Sequence, residues 1–147
     1  MTDYEIRRLD WETAKDDAYA VRHAVFVDEQ DVPEDIELDG EDGVSTHFVA
    51  YDEDGRPVGT ARLRIVDENT GKAERLAVRA DHRGEGLGRR LMDRLEAVAR
   101  DEGCSQVRLH SQTQVEEFYA SLGYETVSDV FDEAGIPHVE MEKELAE

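Results

Sequence analysis

The sequence predicts a mixed α+β domain in which helices cover one mixed sheet. Three observations carry this. The segments follow the order β-α-loop-β-β-β-α-β-α-β-β. Residues 46–78 read as a three-strand meander. Beyond them, helices and strands alternate to the end of the chain. No internal repeat, low-complexity stretch or linker interrupts the order, so residues 1–147 read as one domain.

Each element has its own warrant. Tyr4 to Leu9 alternates well enough for a strand. Asp10 or Thr13 can cap the following helix, which the periodicity carries to about Val27. Its apolar stripe is Ala14, Ala18, Val21, Ala24 and Val25, and Trp11 packs at its entry. A long acidic connection follows, from Asp28 to Asp42, broken by Pro33 and Gly40. Long loops in compact domains often carry function. This one lacks the ligand spacing of a calcium-binding EF-hand loop. Its most specific feature is Glu29-Gln30 directly after the helix.

Thr46–Asp52 and Pro57–Val66 read as strands joined by a turn with Asp54-Gly55 at its centre. Lys72–Val78 is the next strand. The following helix runs from about Gly86 to Asp101, with Leu87, Leu91, Leu95 and Val98 inward, and Gly103 stops it. Ser105–His110 reads as a strand and Gln114–Leu122 as a short helix. Tyr124–Val127 continues as a strand. Phe131–Pro137 is a turn-rich connection, and His138–Leu145 alternates as the last strand.

Composition limits the function. The chain has 37 acidic and 17 basic residues, a net charge of −20. That excludes a general nucleic-acid binder, which needs a basic footprint. The acids are spread along the chain, and lysine is nearly absent, which suits a salt-rich cytoplasm and a halophilic source. No apolar run is long enough to span a membrane, and the N-terminus does not read as a signal peptide. One cysteine, Cys104, allows no internal disulfide or cysteine-rich zinc site and reads as a small packed residue. A cytoplasmic protein is expected. His23, His47 and His82 do not cluster with acids at ligand spacing, so no metal is expected.

Leu76 to Met92 is the most informative stretch. An apolar strand, Leu76-Ala77-Val78, enters a loop with Gly84, Gly86 and Gly88, and a helix follows. Glycines let the backbone approach an anion, and the helix N-terminus offers unpaired N–H groups and a positive dipole end. Arg75, Arg79, Arg83, Arg89, Arg90, Arg94 and Arg100 crowd this stretch in an otherwise acidic chain. Some of them can instead pair with Asp81, Glu85 or Glu96. The G-x-G-x-G spacing is neither a dinucleotide fingerprint nor a P-loop.

The chain's motifs resemble those of the GNAT superfamily of acetyl-CoA-dependent N-acetyltransferases. Arg83-Gly84-Glu85-Gly86-Leu87-Gly88 is similar to its Arg/Gln-x-x-Gly-x-Gly/Ala signature. Phe118-Tyr119-Ala120-Ser121-Leu122-Gly123-Tyr124 is similar to its F-Y-x-x-x-G-F/Y segment. Val25-Phe26-Val27-Asp28-Glu29-Gln30 and Gly135-Ile136-Pro137-His138 resemble small prokaryotic members. The resemblance covers essentially the whole chain. It implies a mostly antiparallel twisted sheet of six to seven strands, about four flanking helices, and a splay between the two central strands.

It also implies the site. The pyrophosphate of acetyl-CoA would lie on the amides from Arg83 through Gly84, Glu85, Gly86 and Leu87 to Gly88. The side chains of Arg83 and Arg89 would add charge. The pantetheine arm would lie along Leu76, Ala77 and Val78, where a backbone N–H could stabilise an oxyanion. The acceptor would be a primary amine on a small molecule or peptide. Tyr119 would be the general acid toward the leaving thiolate; its packing alternative is an aromatic beside Phe118. Glu29, His110 and His138 are candidates for the general base, each with a structural alternative as a capping, solvated or hydrogen-bonded group, and a water chain is a further route. An acetyl-CoA-binding sensor without transfer activity is the alternative function. The resemblance leaves a homodimer open.

Overall fold

The computed structural model describes residues 4–34 and 39–145. Part of the predicted acidic connection, residues 35–38, lies outside the described residues. Strand β1 (Glu5–Leu9) leads into helix α1 (Trp11–Arg22). The Asp10 carboxylate caps α1, accepting from the Thr13 N–H at 3.0 Å. The helix does not continue as an α-helix to Val27. Its bonding widens to a π-helical segment, His23–Glu29, which ends where Gln30 N–H reaches Val25 C=O at 3.1 Å. Periodicity registers an apolar face and does not separate α from π winding at its end.

The meander is β2 (Thr46–Tyr51), β3 (Pro57–Asp67) and β4 (Thr70–Val78). Helix α2 (Leu87–Asp101) crosses to β5 (Gln106–Gln112). Helix α3 (Glu116–Ser121) is shorter than predicted, because Thr113–Val115 winds as a 3-10 turn before it. Short β6 (Glu125–Thr126) and β7 (Phe131–Glu133) flank the long β8 (Ile136–Glu144). The stretch predicted as a turn-rich connection thus holds half of a hairpin, with Ala134 and Gly135 at positive φ.

The sheet has eight strands, in the order β1-β2-β3-β4-β5-β8-β6, with β7 also on β8. Every neighbouring pair is antiparallel except β4 and β5. Six to seven strands were expected; the added one is the three-residue β7, too short to show alternation. Among the described residues there are three α-helices, where about four were expected.

The sheet has two dressed faces. Helix α2 buries Leu87, Leu91, Met92 and Leu95 against Phe48, Ala61, Leu63, Val107 and Leu109. Each such side chain contributes about 1.5–3 kcal/mol by leaving water. Helix α1 covers β2, β3 and β4 on the other face. There Ala14 and Ala18 meet Val49, and Val21 and Val25 meet Ala77. Buried Glu96 locks α2 to the distal strands: it accepts from Tyr124 Oη at 2.9 Å and Lys143 Nζ at 2.8 Å.

Candidate active site

The site is made by the strands that part. β4 and β5 pair in parallel only from Thr70 opposite Gln106 to Ala73 opposite Leu109. On its other edge β5 pairs with β8 throughout, from Gln106 opposite Glu144 to Gln112 opposite His138, so beyond Leu109 only that edge is paired. The upper half of β4 stays with β3. A bulge at this point places Arg75 at φ 57°, and the register against β3 shifts between Thr60 and Arg62. The divergence opens a cleft of about 820 Å³, whose walls include Leu76, Ala77, Val78, Gly88, Ser111 and Tyr119.

One end of the cleft is the glycine loop. Gly84 and Gly86 sit at φ +82° and +80°, where a side chain would strain the backbone. No side chain caps α2, so the first N–H groups of the helix face the loop without an internal acceptor. Gly88 has a different constraint. A Cβ there would lie 3.3 Å from Phe118 Cζ, so its small size lets α3 pack onto the helix start. The loop is tied from outside. Tyr4 Oη donates to Glu85 at 3.0 Å and accepts from His82 Nδ1 at 3.0 Å.

The arginines around the loop divide. Arg79 donates to Pro57 C=O at 2.9 Å and Arg90 to Tyr4 C=O at 3.1 Å. Arg75 pairs with Asp39 at 3.2 Å. Arg89, exposed in the first turn of α2, has no ion-pair partner among the described residues and lines the cleft. Arg83 donates from Nε to Val78 C=O at 2.9 Å. Its two terminal nitrogens make a bidentate pair with Glu29 at 2.7 and 2.8 Å. The hydrogen bond from Arg83 holds the Glu29 carboxyl below its ordinary range. Beside that pair, Gln112 Nε2 donates to Gln30 Oε1 at 2.8 Å, joining the end of β5 to the π-helical segment.

Tyr119 lies in the opposite wall, buried, with its ring edge-on to Phe118 and Tyr124. Its hydroxyl makes no hydrogen bond to a described residue, and burial raises its pKa above the ordinary 10.0. It is a neutral phenol that keeps its proton. His110 and His138 share Glu133. His110 Nδ1 meets Glu133 Oε1 at 2.9 Å and its Nε2 meets Glu140 Oε1 at 3.3 Å. The Glu133 bond raises the His110 pKa against the effect of burial. His138 donates Nδ1–H to Ile136 C=O at 2.7 Å, leaving Nε2 as the other nitrogen, 3.7 Å from Glu133 Oε2. Phe131 packs against both imidazoles.

A buried charge network forms the floor beside β4. Arg62, fully buried, donates to Asp39, Asp42 and Glu74 at 2.8–3.0 Å. Arg22, also fully buried, pairs with Asp42 at 2.7 Å. Burial opposes ionisation of Glu74, but Arg64, Arg62 and Lys72 outweigh it and hold its pKa at about 2. This network ties α1, β3, β4 and the segment at Asp39–Asp42 to one another. Sequence reading passed over it, and over Glu133. Arg62 was findable: a charged residue between Ala61 and Leu63 in a buried strand demands partners. Glu133 carried no such signal.

Among the described residues, no group of three or more His, Cys, Asp or Glu is placed to hold a metal ion, and no helix is long and apolar enough to cross a membrane. The profile of the acetyltransferase (GNAT) domain matches residues 12–145. The chain belongs to the GNAT acetyltransferase family. As a GNAT protein it is 44% identical over 129 residues to YjcF of Bacillus subtilis, described as an uncharacterized N-acetyltransferase, covering 87% of this chain and 91% of the relative. A solved structure from Lactobacillus plantarum superposes with a TM-score of 0.91 at 30% identity, over 97% of this chain and 99% of the other. An acyl-CoA N-acyltransferase from Pseudomonas aeruginosa superposes with a TM-score of 0.81 at 30% identity, over 97% and 99%. The GNAT fold implies an acyl-CoA cosubstrate, and the splay, glycine loop and uncapped helix of this member are suited to one.

Proposed function

We propose that the chain transfers an acetyl group from acetyl-CoA to a primary amine by direct attack, with both substrates bound together. The observation that carries this is the cleft itself. It runs from an uncapped, glycine-lined helix start, past the unpaired edge of β4, to a buried phenol and a histidine pair. The amides from Arg83 to Gly88, with Arg89, would hold the diphosphate of acetyl-CoA. The backbone of Leu76, Ala77 and Val78 would hold the pantetheine arm. The group supplies an activated thioester.

The amine must reach the thioester carbonyl without its extra proton. As the new C–N bond forms and the C–S bond breaks, one amine proton leaves to a base and the departing sulfur gains a proton or a hydrogen bond. Tyr119 suits the second role, because its phenol is neutral and has no competing partner among the described residues. For the base, hydrogen bonding favours His138. Its Nδ1 proton is committed to Ile136, so Nε2 has the lone pair, and Glu133 stands ready to stabilise the resulting imidazolium. Glu29 is engaged by Arg83, and both nitrogens of His110 face carboxylates. Replacing His138 by Gln should lower kcat roughly 10²- to 10⁴-fold, and an unchanged kcat would return the assignment to Glu29, His110 or water.

The acceptor is read only as a primary amine, on a small molecule or a peptide. The net charge of −20 supports adaptation to a salt-rich cytoplasm. On that reading thermal stability rises between low and molar salt, and a flat response would reject it. The test of the function is release of free thiol from acetyl-CoA across a panel of primary amines, with the acetylated amine identified by mass.

A further inference from the structure

The Arg83–Glu29 pair joins the glycine loop to the end of the π-helical segment, and both residues line the cleft. Arg83 opens the glycine loop, where the donor's diphosphate would lie. Glu29 ends the π-helical segment, beside Gln30, where an acceptor amine would approach on the acetyl-CoA reading. Both side chains are about two-fifths exposed, so the pair is not buried scaffolding. Its geometry is bidentate, with both terminal nitrogens of Arg83 committed to one carboxylate. The Nε–H of the same guanidinium is committed to Val78 C=O. Three of the five guanidinium N–H donors are thus taken, and no free pair of adjacent N–H groups is left to bind a second oxyanion bidentately while Glu29 holds Arg83. Arg89, one turn further on, has no such commitment among the described residues.

We infer that Glu29 and the diphosphate of the donor compete for Arg83, so that donor binding releases the Glu29 carboxylate to hold the acceptor's ammonium group. This rests on the acetyl-CoA reading of the cleft. The exchange is chemically like for like. A guanidinium fork binds a carboxylate and a phosphate in the same bidentate manner. The freed carboxylate then faces the cleft as an anion, with a cation as its natural replacement partner. The exchange keeps the acceptor's counter-charge masked until the donor is in place. It also assigns Glu29 as an ammonium-binding residue rather than a proton acceptor.

The competition predicts an effect that a purely structural staple does not. Removing Glu29's charge should strengthen donor binding, not weaken it. The probe is CoA itself, titrated calorimetrically into wild type, Glu29→Gln, Arg83→Gln and the double variant. An exposed bidentate pair sets the scale, so Glu29→Gln should tighten CoA about three- to tenfold. A change in the general field of the site would do the same in any background, and the double variant separates the two. Against Arg83→Gln, the further change Glu29→Gln should move affinity less than twofold. Equal tightening in both backgrounds would overturn the exchange in favour of a field effect. Unchanged or weaker CoA binding by Glu29→Gln would overturn it in favour of a staple. In either case, CoA binding by the wild type would leave the donor assignment standing. Failure of wild type and every variant to bind CoA would reject that assignment and the inference together.

Discussion

Replacing Tyr119 by Phe removes one oxygen and nothing else from the wall of the cleft. The ring contacts with Phe118 and Tyr124 do not involve the hydroxyl. That hydroxyl has no partner among the described residues, so its loss strands no buried donor or acceptor. Stability should therefore move by no more than about 0.5 kcal/mol. The effect on turnover follows from acidity. An ordinary thiol has a pKa of about 8.5. The Tyr119 phenol lies above 10.0 because it is buried. Complete proton transfer to the departing thiolate is thus uphill, and the phenol contributes mainly as a hydrogen-bond donor to developing negative charge. A hydrogen bond to a charged group is worth roughly 1.5–3 kcal/mol. Turnover should accordingly fall roughly 10- to 150-fold, with the KM for acetyl-CoA changed less than about twofold. The assay is continuous thiol release at saturating amine, with calorimetric CoA binding and thermal melting as controls. A turnover number within about twofold of wild type, with an unchanged melting temperature, would refute the assignment.

Other consequences are as direct. Gly86→Ala meets no atom within 4 Å but must hold φ near +80°, which costs about 1–2 kcal/mol. The melting temperature should drop by about 2–8 °C, and an unchanged melt would show that the loop relaxes without strain. The Glu74 carboxyl has its folded pKa near 2 against an ordinary 4.5. Its stabilising contribution is complete above about pH 4.5 and is lost as pH falls toward 2. The acid side of the melting profile should flatten in Glu74→Gln, and a profile parallel to wild type would argue against the network's role. Glu133 raises the pKa of His110, so His110 supplies stability below its ordinary 6.5 that fades as pH climbs through the raised value. Glu133→Gln should bring the His110 ring titration, followed by NMR, back down; an unmoved titration would mean that the Glu133 bond does not set it.

The sequence made the glycine-loop end of this cleft legible and left the histidine end obscure, for physical reasons. The glycine loop and helix start are local: spacing, positive φ and an uncapped N-terminus are written in adjacent residues. The sheet core is periodic, so Leu87, Leu91 and Leu95 were readable as one face. The parting of β4 from β5 came only through resemblance, since pairing between distant strands leaves no mark in either. The pairings that organise the rest of the cleft join residues far apart, Glu29 with Arg83 and His110 with Glu133. Each residue alone is an ordinary polar side chain. The large acid excess also conceals the few carboxylates that have buried partners, Asp42 and Glu74 among them. In a chain with this many acids, position relative to a strand's apolar register is a better guide than charge.

The central claim is that the cleft between β4 and β5 performs acyl transfer. It is tested most directly by incubating the protein with acetyl-CoA and a panel of primary amines, counting released thiol and weighing the products. The account predicts one equivalent of free CoA for each N-acetylated amine, with loss of both in Tyr119→Phe to the extent given above. Tight, saturable binding of acetyl-CoA with no acetylated product from any small or peptide amine would contradict it and identify a binding module.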